Sequence, residues 1–154
     1  MKNSMLVALL QEYKKSIEEY IAILELVSQL QFDQIVDENS PRLESIKAIT
    51  FHTVEAGYIY ANYVYALSGK EWYVYDGSID TPAKAMSELK VMMNFTEELF
   101  STIFDKSNEE IEQWSFETKW GVTYDFEQLM EHAIVHVLRH RRQISNFLND
   151  KQCR

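Results

Sequence analysis

Residues that break helices are scarce in this chain: it carries 4 Gly and 2 Pro among 154 residues. Sheet proteins reverse direction often, and their tight turns consume Gly, Pro, Asn and Asp. A chain this poor in Gly and Pro reads as a few long helices, an all-α protein. Its apolar fraction of 46% is enough for a packed core. Its length suits one domain spanning residues 1–154, stable without disulfides.

Four stretches carry helical periodicity. In the first, Leu6, Leu9, Leu10, Tyr13, Ile17, Tyr20, Ile21, Leu24 and Val27 recur at three- and four-residue steps, and the pattern fades near Phe32. Asn3 or Ser4 can cap its start. The second stripe is Ile46, Ile49, Thr53, Ala56, Tyr60, Tyr63 and Leu67. Ser40-Pro41 supplies a cap followed by a proline in the first turn, and Ser68-Gly69 a stop. Thr81-Pro82 opens the third stripe, Ala85 to Ile103, by the same logic. The fourth runs from about Tyr124 to Asn149 with Thr123 as its cap. Between the last two, Asn108 to Ile111 reads as one short turn of helix and Lys119 to Val122 as extended. Four amphipathic helices of similar length bury their stripes together as a four-helix bundle. The twelve residues Gly69 to Asp80 reach about 40 Å when extended. That is enough to run back along a bundle, so the second and third helices need not be antiparallel.

Charge excludes one class of partner. The formal net charge of −9 repels phosphate backbones, and the one dense basic stretch, Arg139 to Arg142, lies within an apolar-rich helix and matches no nucleic-acid-binding motif. Cys153 is the only cysteine, so no internal disulfide forms and a reducing compartment is permitted. Met1 to Leu10 does not read as a signal peptide, and no apolar run reaches spanning length. The expectation is a cytoplasmic protein with neither nucleic-acid nor membrane partners.

The histidines carry the chemistry. His132, His136 and His140 share one helix at four-residue steps. Each step turns about 40° past a full circle, so neighbours share a face and two imidazoles can reach one ion. His52 lies between Ile49 and Ala56 in helical projection and points toward the core or its margin. The competing reading is a set of hydrogen-bonded core histidines, or a histidine favoured by a helix C-terminus. The latter fails for His136, which is well inside its helix. Imidazole donors without a thiolate suit Zn, Ni, Fe or Co.

The segment Glu131-His132-Ala133-Ile134-Val135-His136-Val137-Leu138-Arg139-His140-Arg141-Arg142-Gln143-Ile144 resembles the C-terminal signature of the DinB/YfiT-like superfamily, three histidines four apart followed by Arg, often Gly, then Gln. Ser45 to His52 resembles that family's other marker, a histidine in the second helix. The resemblance covers essentially the whole chain, although only these two segments are specific. It implies a bundle of up-down-down-up connectivity and a metal triad of His52, His136 and His140, with His132 left out. It also implies one divalent ion (Zn or Ni, with Fe and Co compatible), frequent homodimers, and metal-dependent transfer of low-molecular-weight thiols such as bacillithiol or mycothiol. Arg142 departs from the pattern, standing where many members have Gly, which bears on local packing or anion preference and not on the ligands.

The working expectation is therefore a metal-dependent transferase joining a small thiol to an electrophile. Two alternatives stand beside it: metal-assisted hydrolysis, which needs no thiol, and a non-catalytic metal-binding or dimerisation module. Arg139 and Arg142 are candidates for holding substrate carboxylates, against the plainer reading of solvated helix arginines. Glu131 and Glu55 are candidates for orienting a ligand imidazole. Trp72, Tyr73, Tyr75 and Trp120 line a pocket mouth or, on the plainer reading, cap the bundle ends.

Overall fold

A computed structural model describes residues 1–150; Cys153 lies outside the described residues. The first stripe forms α1 (Ser4–Leu24), capped by the Asn3 side chain, which accepts from the Met5 and Leu6 amides. Leu6, Tyr13, Ile17, Tyr20 and Leu24 are its buried face. Where that pattern fades, a separate short helix forms, α2 (Gln29–Asp33). A reciprocal Ser28–Gln31 capping box starts it, and it buries Phe32 completely.

The second long helix, α3 (Ile46–Tyr65), begins later than Ser40-Pro41 suggests. Ser45 is the cap, its hydroxyl accepting from the Ala48 amide. The Ser40 carbonyl instead accepts from the Leu43 amide, so the proline closes a turn before the helix starts. In the third long helix, α4 (Pro82–Ser101), the expected arrangement holds, with Thr81 accepting from the Lys84 amide.

After α5 (Asn108–Ile111), strands β1 (Ser115–Glu117) and β2 (Thr123–Asp125) pair antiparallel with Phe116 opposite Tyr124. Lys119 to Val122 is the reversal between them rather than an extended segment. Gly121 adopts φ 83°, a left-handed conformation that favours glycine, and the Thr118 amide donates to the Val122 carbonyl. This pairing also moves the last cap. Thr123 is engaged opposite Glu117, so α6 (Phe126–Asn149) starts from a capping box between Asp125 and Gln128. The hairpin is the only strand pairing among the described residues and leaves the fold all-α.

Each long helix packs on two others: α1 on α4 and α6, and α3 on α4 and α6. Contacts between the helices and their ends give the directions. Asn3 meets Phe104 while Tyr13 meets Met92, so α1 and α4 are antiparallel. Gly57 abuts Met92 and Tyr65 donates to the Phe95 carbonyl further along both helices, so α3 and α4 run parallel. The bundle is up-down-down-up.

Two parallel neighbours require the chain between them to travel the full length of the bundle. Asn62, only 1% exposed, fastens that return. Its side-chain amide donates to the Tyr73 carbonyl at 2.7 Å, and its Oδ1 accepts from the Tyr73 amide at 3.0 Å. Tyr75 stacks on Tyr58 with centroids 5.3 Å apart, and Tyr73 packs on Tyr58 and Phe95. Tyr73 and Tyr75 thus cover the α3–α4 flank.

Candidate metal centre

Because α3 and α6 run antiparallel, the early turns of α3 meet the middle and late turns of α6. His52 is thereby brought level with His136 and His140. The Nε2 of His136 lies 3.1 Å from the Nε2 of His52 and 3.1 Å from the Nε2 of His140. His136 and His140 are 6% and 2% exposed, and His52 is half-buried. All three offer a ring nitrogen within 4.8 Å of the others, a group that could hold a metal ion.

Electrostatics keep these rings neutral. Burial, followed by the neighbouring His140, pushes His52 down to about 4. Burial, then His140 and His52, pushes His136 down to about 2. His140 is lowered chiefly by burial, against a hydrogen bond to Gln143 that works the other way. That bond fixes a tautomer. Gln143 Oε1 can only accept, so His140 Nδ1, 3.0 Å away, carries the proton and its Nε2 presents a bare lone pair.

The donor set fits a divalent transition ion. Two neutral imidazoles can share a proton between facing nitrogens, but three converging Nε2 atoms leave lone pairs opposed, which a cation resolves. Nitrogen ligands about 2.0–2.1 Å from one ion stand roughly 3 Å from one another, close to the two separations His136 makes with His52 and His140. Three protein donors leave coordination positions for another molecule, as in catalytic rather than structural sites.

His132 does not join them. Its Nδ1 is 3.3 Å from the Tyr124 hydroxyl, its ring stacks on Trp120 at 5.8 Å, and Tyr60 contacts both it and His136. The spacing placed His132 on the same helical face, but the hairpin and Tyr60 claim it.

Neither acidic candidate orients a ligand ring. Glu131 lies exposed on the outer side of α6, and Glu55, although near His52, makes no bond to His52 Nδ1, which is buried without a partner. The orienting residue is Gln143, one helical turn after His140. Gln143 belongs to the signature segment, but helical spacing alone assigns it no role. Arg139 and Arg142 are both exposed.

A pocket of about 520 Å³ opens beside His52, lined among others by Arg42, Phe51, Glu55, Gly77 and Ile79. None of Trp72, Tyr73, Tyr75 and Trp120 lines it. Arg42 also depresses the His52 pKa, after burial and His140, which places its charge near the imidazole. Periodicity could not reveal this pocket, because the α2–α3 connection and the return segment close it.

Comparison with protein families matches residues 1–150 to the DinB family. The chain belongs to the DinB family. The chain is similar to a solved structure described as the mycothiol-dependent maleylpyruvate isomerase, with a TM-score of 0.58 and 15% sequence identity. The match covers 96% of this chain and 65% of that one, so this DinB chain spans less than two thirds of its neighbour's length. At that identity the likeness establishes the shared bundle. Among curated proteins no match is found. Among the described residues no helix is long and apolar enough to cross a membrane.

Proposed function

We propose that the chain is a metal-dependent, cytoplasmic transferase acting as one bundle domain over residues 1–154 and as a homodimer, which joins a low-molecular-weight thiol to an electrophile. The observation that carries this reading is the convergence of His52, His136 and His140 beside a pocket large enough for a small molecule. Family membership and the thiol-dependent neighbour support a thiol as one substrate.

His52, His136 and His140 would hold the ion, with Zn or Ni favoured by an all-imidazole donor set and Fe or Co compatible with it. A divalent ion held there supplies the acidification that makes a thiolate available at neutral pH. Gln143 keeps His140 in the tautomer that leaves Nε2 free. Phe51 and Ile79 give the pocket an apolar wall that limits water, and Arg42 presents a cation to an anionic substituent. In the reaction the thiol sulfur forms a bond to the electrophilic carbon. The leaving group departs with its bonding pair, and the thiol proton goes to solvent.

Turnover of a haloarene electrophile with a panel of small thiols, in metal-loaded wild type and His52→Ala, tests the reading. Thiol-dependent turnover lost in the variant supports it. Turnover without thiol would replace it with hydrolysis, and metal binding without turnover with a non-catalytic module.

A further inference from the structure

Two arginines beside the triad have no partner within the chain. Arg42, in the turn before α3, lines the pocket together with His52 and Phe51. Arg139 lies on α6 three residues after His136 and four before Gln143, so it shares their face and emerges at the seam between α6 and α3. Both are exposed. The ion pairs among the described residues all use lysines and leave both guanidinium groups unpaired.

They approach the triad from different directions. Long side chains lean toward the N-terminus of their helix, so Arg139 is directed back over His136 toward His132 and Tyr60. Arg42 comes from ahead of the first turn of α3, two turns before His52. The electrostatics agree with this placement. Burial is the largest influence on all four histidines, and Arg139 lowers each of them further. At Tyr60, where burial raises the pKa, Arg139 works against it. Arg42 acts on His52.

We propose that Arg42 and Arg139 grip a substrate carrying two carboxylates, one at each guanidinium, and so hold it across the face of the triad. The proposal rests on the thiol-transfer reading above and adds to it the charge class of the substrate and the residues that select it. A guanidinium fork matches a carboxylate bidentately. A chain of net charge −9 repels anions as a whole, and two unpaired cations reverse that field at one place. Lys47, the other cation lining the pocket, is already held by Asp33 at 2.8 Å. Glu44, Glu55 and Asp80 line it as well. Their charge opposes a phosphate dianion more than it opposes separate, singly charged carboxylates.

Neither arginine belongs to the pattern of histidines or to the Arg and Gln that follow them. Arg139 precedes His140, and Arg42 lies outside both marked segments. Their part is selection rather than ligation: they meet groups of the substrate remote from the reacting sulfur.

Calorimetric titration of the full chain, freed of metal by dialysis, with succinate, butyrate and inorganic phosphate tests the clamp without the ion or a thiol. Succinate should bind at least about tenfold more tightly than butyrate, the effect of one added charge-assisted contact. Arg42→Gln and Arg139→Gln should each bring succinate to within about twofold of butyrate, with the helical far-UV signal kept. Arg139→Lys, which keeps the charge and loses the fork, should fall between. Succinate no tighter than butyrate, or bound alike by wild type and the Gln variants, would overturn the clamp. Phosphate bound more tightly than succinate would overturn the carboxylate class. In metal-loaded protein with a haloarene, mercaptosuccinate should exceed 2-mercaptoethanol in kcat/KM by about tenfold. Equal kcat/KM for the two thiols would overturn the clamp and leave the transfer reading standing. Selective succinate binding without thiol-dependent turnover would overturn the transfer reading and support the clamp.

Discussion

The Nε2 of His52 stands 3.1 Å from the Nε2 of His136, although 84 positions separate them in sequence. Two imidazoles so placed share at most one proton, and burial holds both below their ordinary pKa, so their lone pairs are available to a cation. The His136→Ala variant should lose stoichiometric metal while keeping a helical far-UV signal, because the core stripes do not pass through the ion. Plasma mass spectrometry on tag-free protein, wild type beside variant, measures this. Full metal in the variant would remove His136 from the ligand set.

Gln143 holds His140 by its Nδ1–H at 3.0 Å. Partners of this kind set the tautomer and basicity of a ligand imidazole, and losing one lowers metal affinity by about 10–100-fold. Gln143→Leu is expected to show a loss of that size in competition with a chromogenic chelator, with its thermal transition nearly unchanged. An affinity equal to wild type would mean that packing alone sets the ring.

Acid should destabilise the metal-free chain in a defined window. The histidine reference value is 6.5, whereas His52 is held at about 4 and His136 at about 2 in the fold. Below pH 6.5 the unfolded chain takes up protons that the folded chain refuses, so stability falls with falling pH. Each buried histidine contributes a slope of up to about 1.4 kcal/mol per pH unit; His52, only partly buried, contributes less because solvent screens it. Above pH 6.5 these groups add no slope. Urea titrations at pH 7.5, 6 and 5, in the presence of a chelator, measure the effect. Stability independent of pH across that range would contradict the burial of the rings.

Metal affinity should fall in the same direction, since a protonated imidazole cannot ligate. Affinity that stays level from pH 7.5 to pH 5 would argue against histidine ligation altogether.

Asn62 fastens the return segment through the backbone amide and carbonyl of Tyr73. Asn62→Leu leaves an amide and a carbonyl without partners, at about 1–3 kcal/mol each when buried. The expected loss is roughly 2–4 kcal/mol, with a fall in Tm of roughly 5–15 °C. Calorimetry checks it; an unchanged Tm would show that the aromatic contacts of Tyr73 and Tyr75 suffice.

What the sequence determined by itself was the set of long helices and the family to which the chain belongs. Apolar residues at three- and four-residue steps bury one face whatever the partner helix is, so the stripes of α1, α3, α4 and α6 were legible locally. The four-residue spacing of His136 and His140 was legible for the same reason. Cap positions were less so. Ser40 and Thr123 are as good capping residues as Ser45 and Asp125, and only the turn before α3 and the pairing of β1 with β2 chose between them. Periodicity did not say which histidines meet; the resemblance named His52, His136 and His140, and the tertiary structure brings those three together. Helical spacing treats His132, His136 and His140 alike, but the antiparallel crossing of α3 and α6 sets His52 at the height of the last two. Trp120, Tyr124 and Tyr60 take up His132. Side-chain convergence across 84 positions depends on how helices cross, and periodicity along one helix carries no information about its neighbour's height.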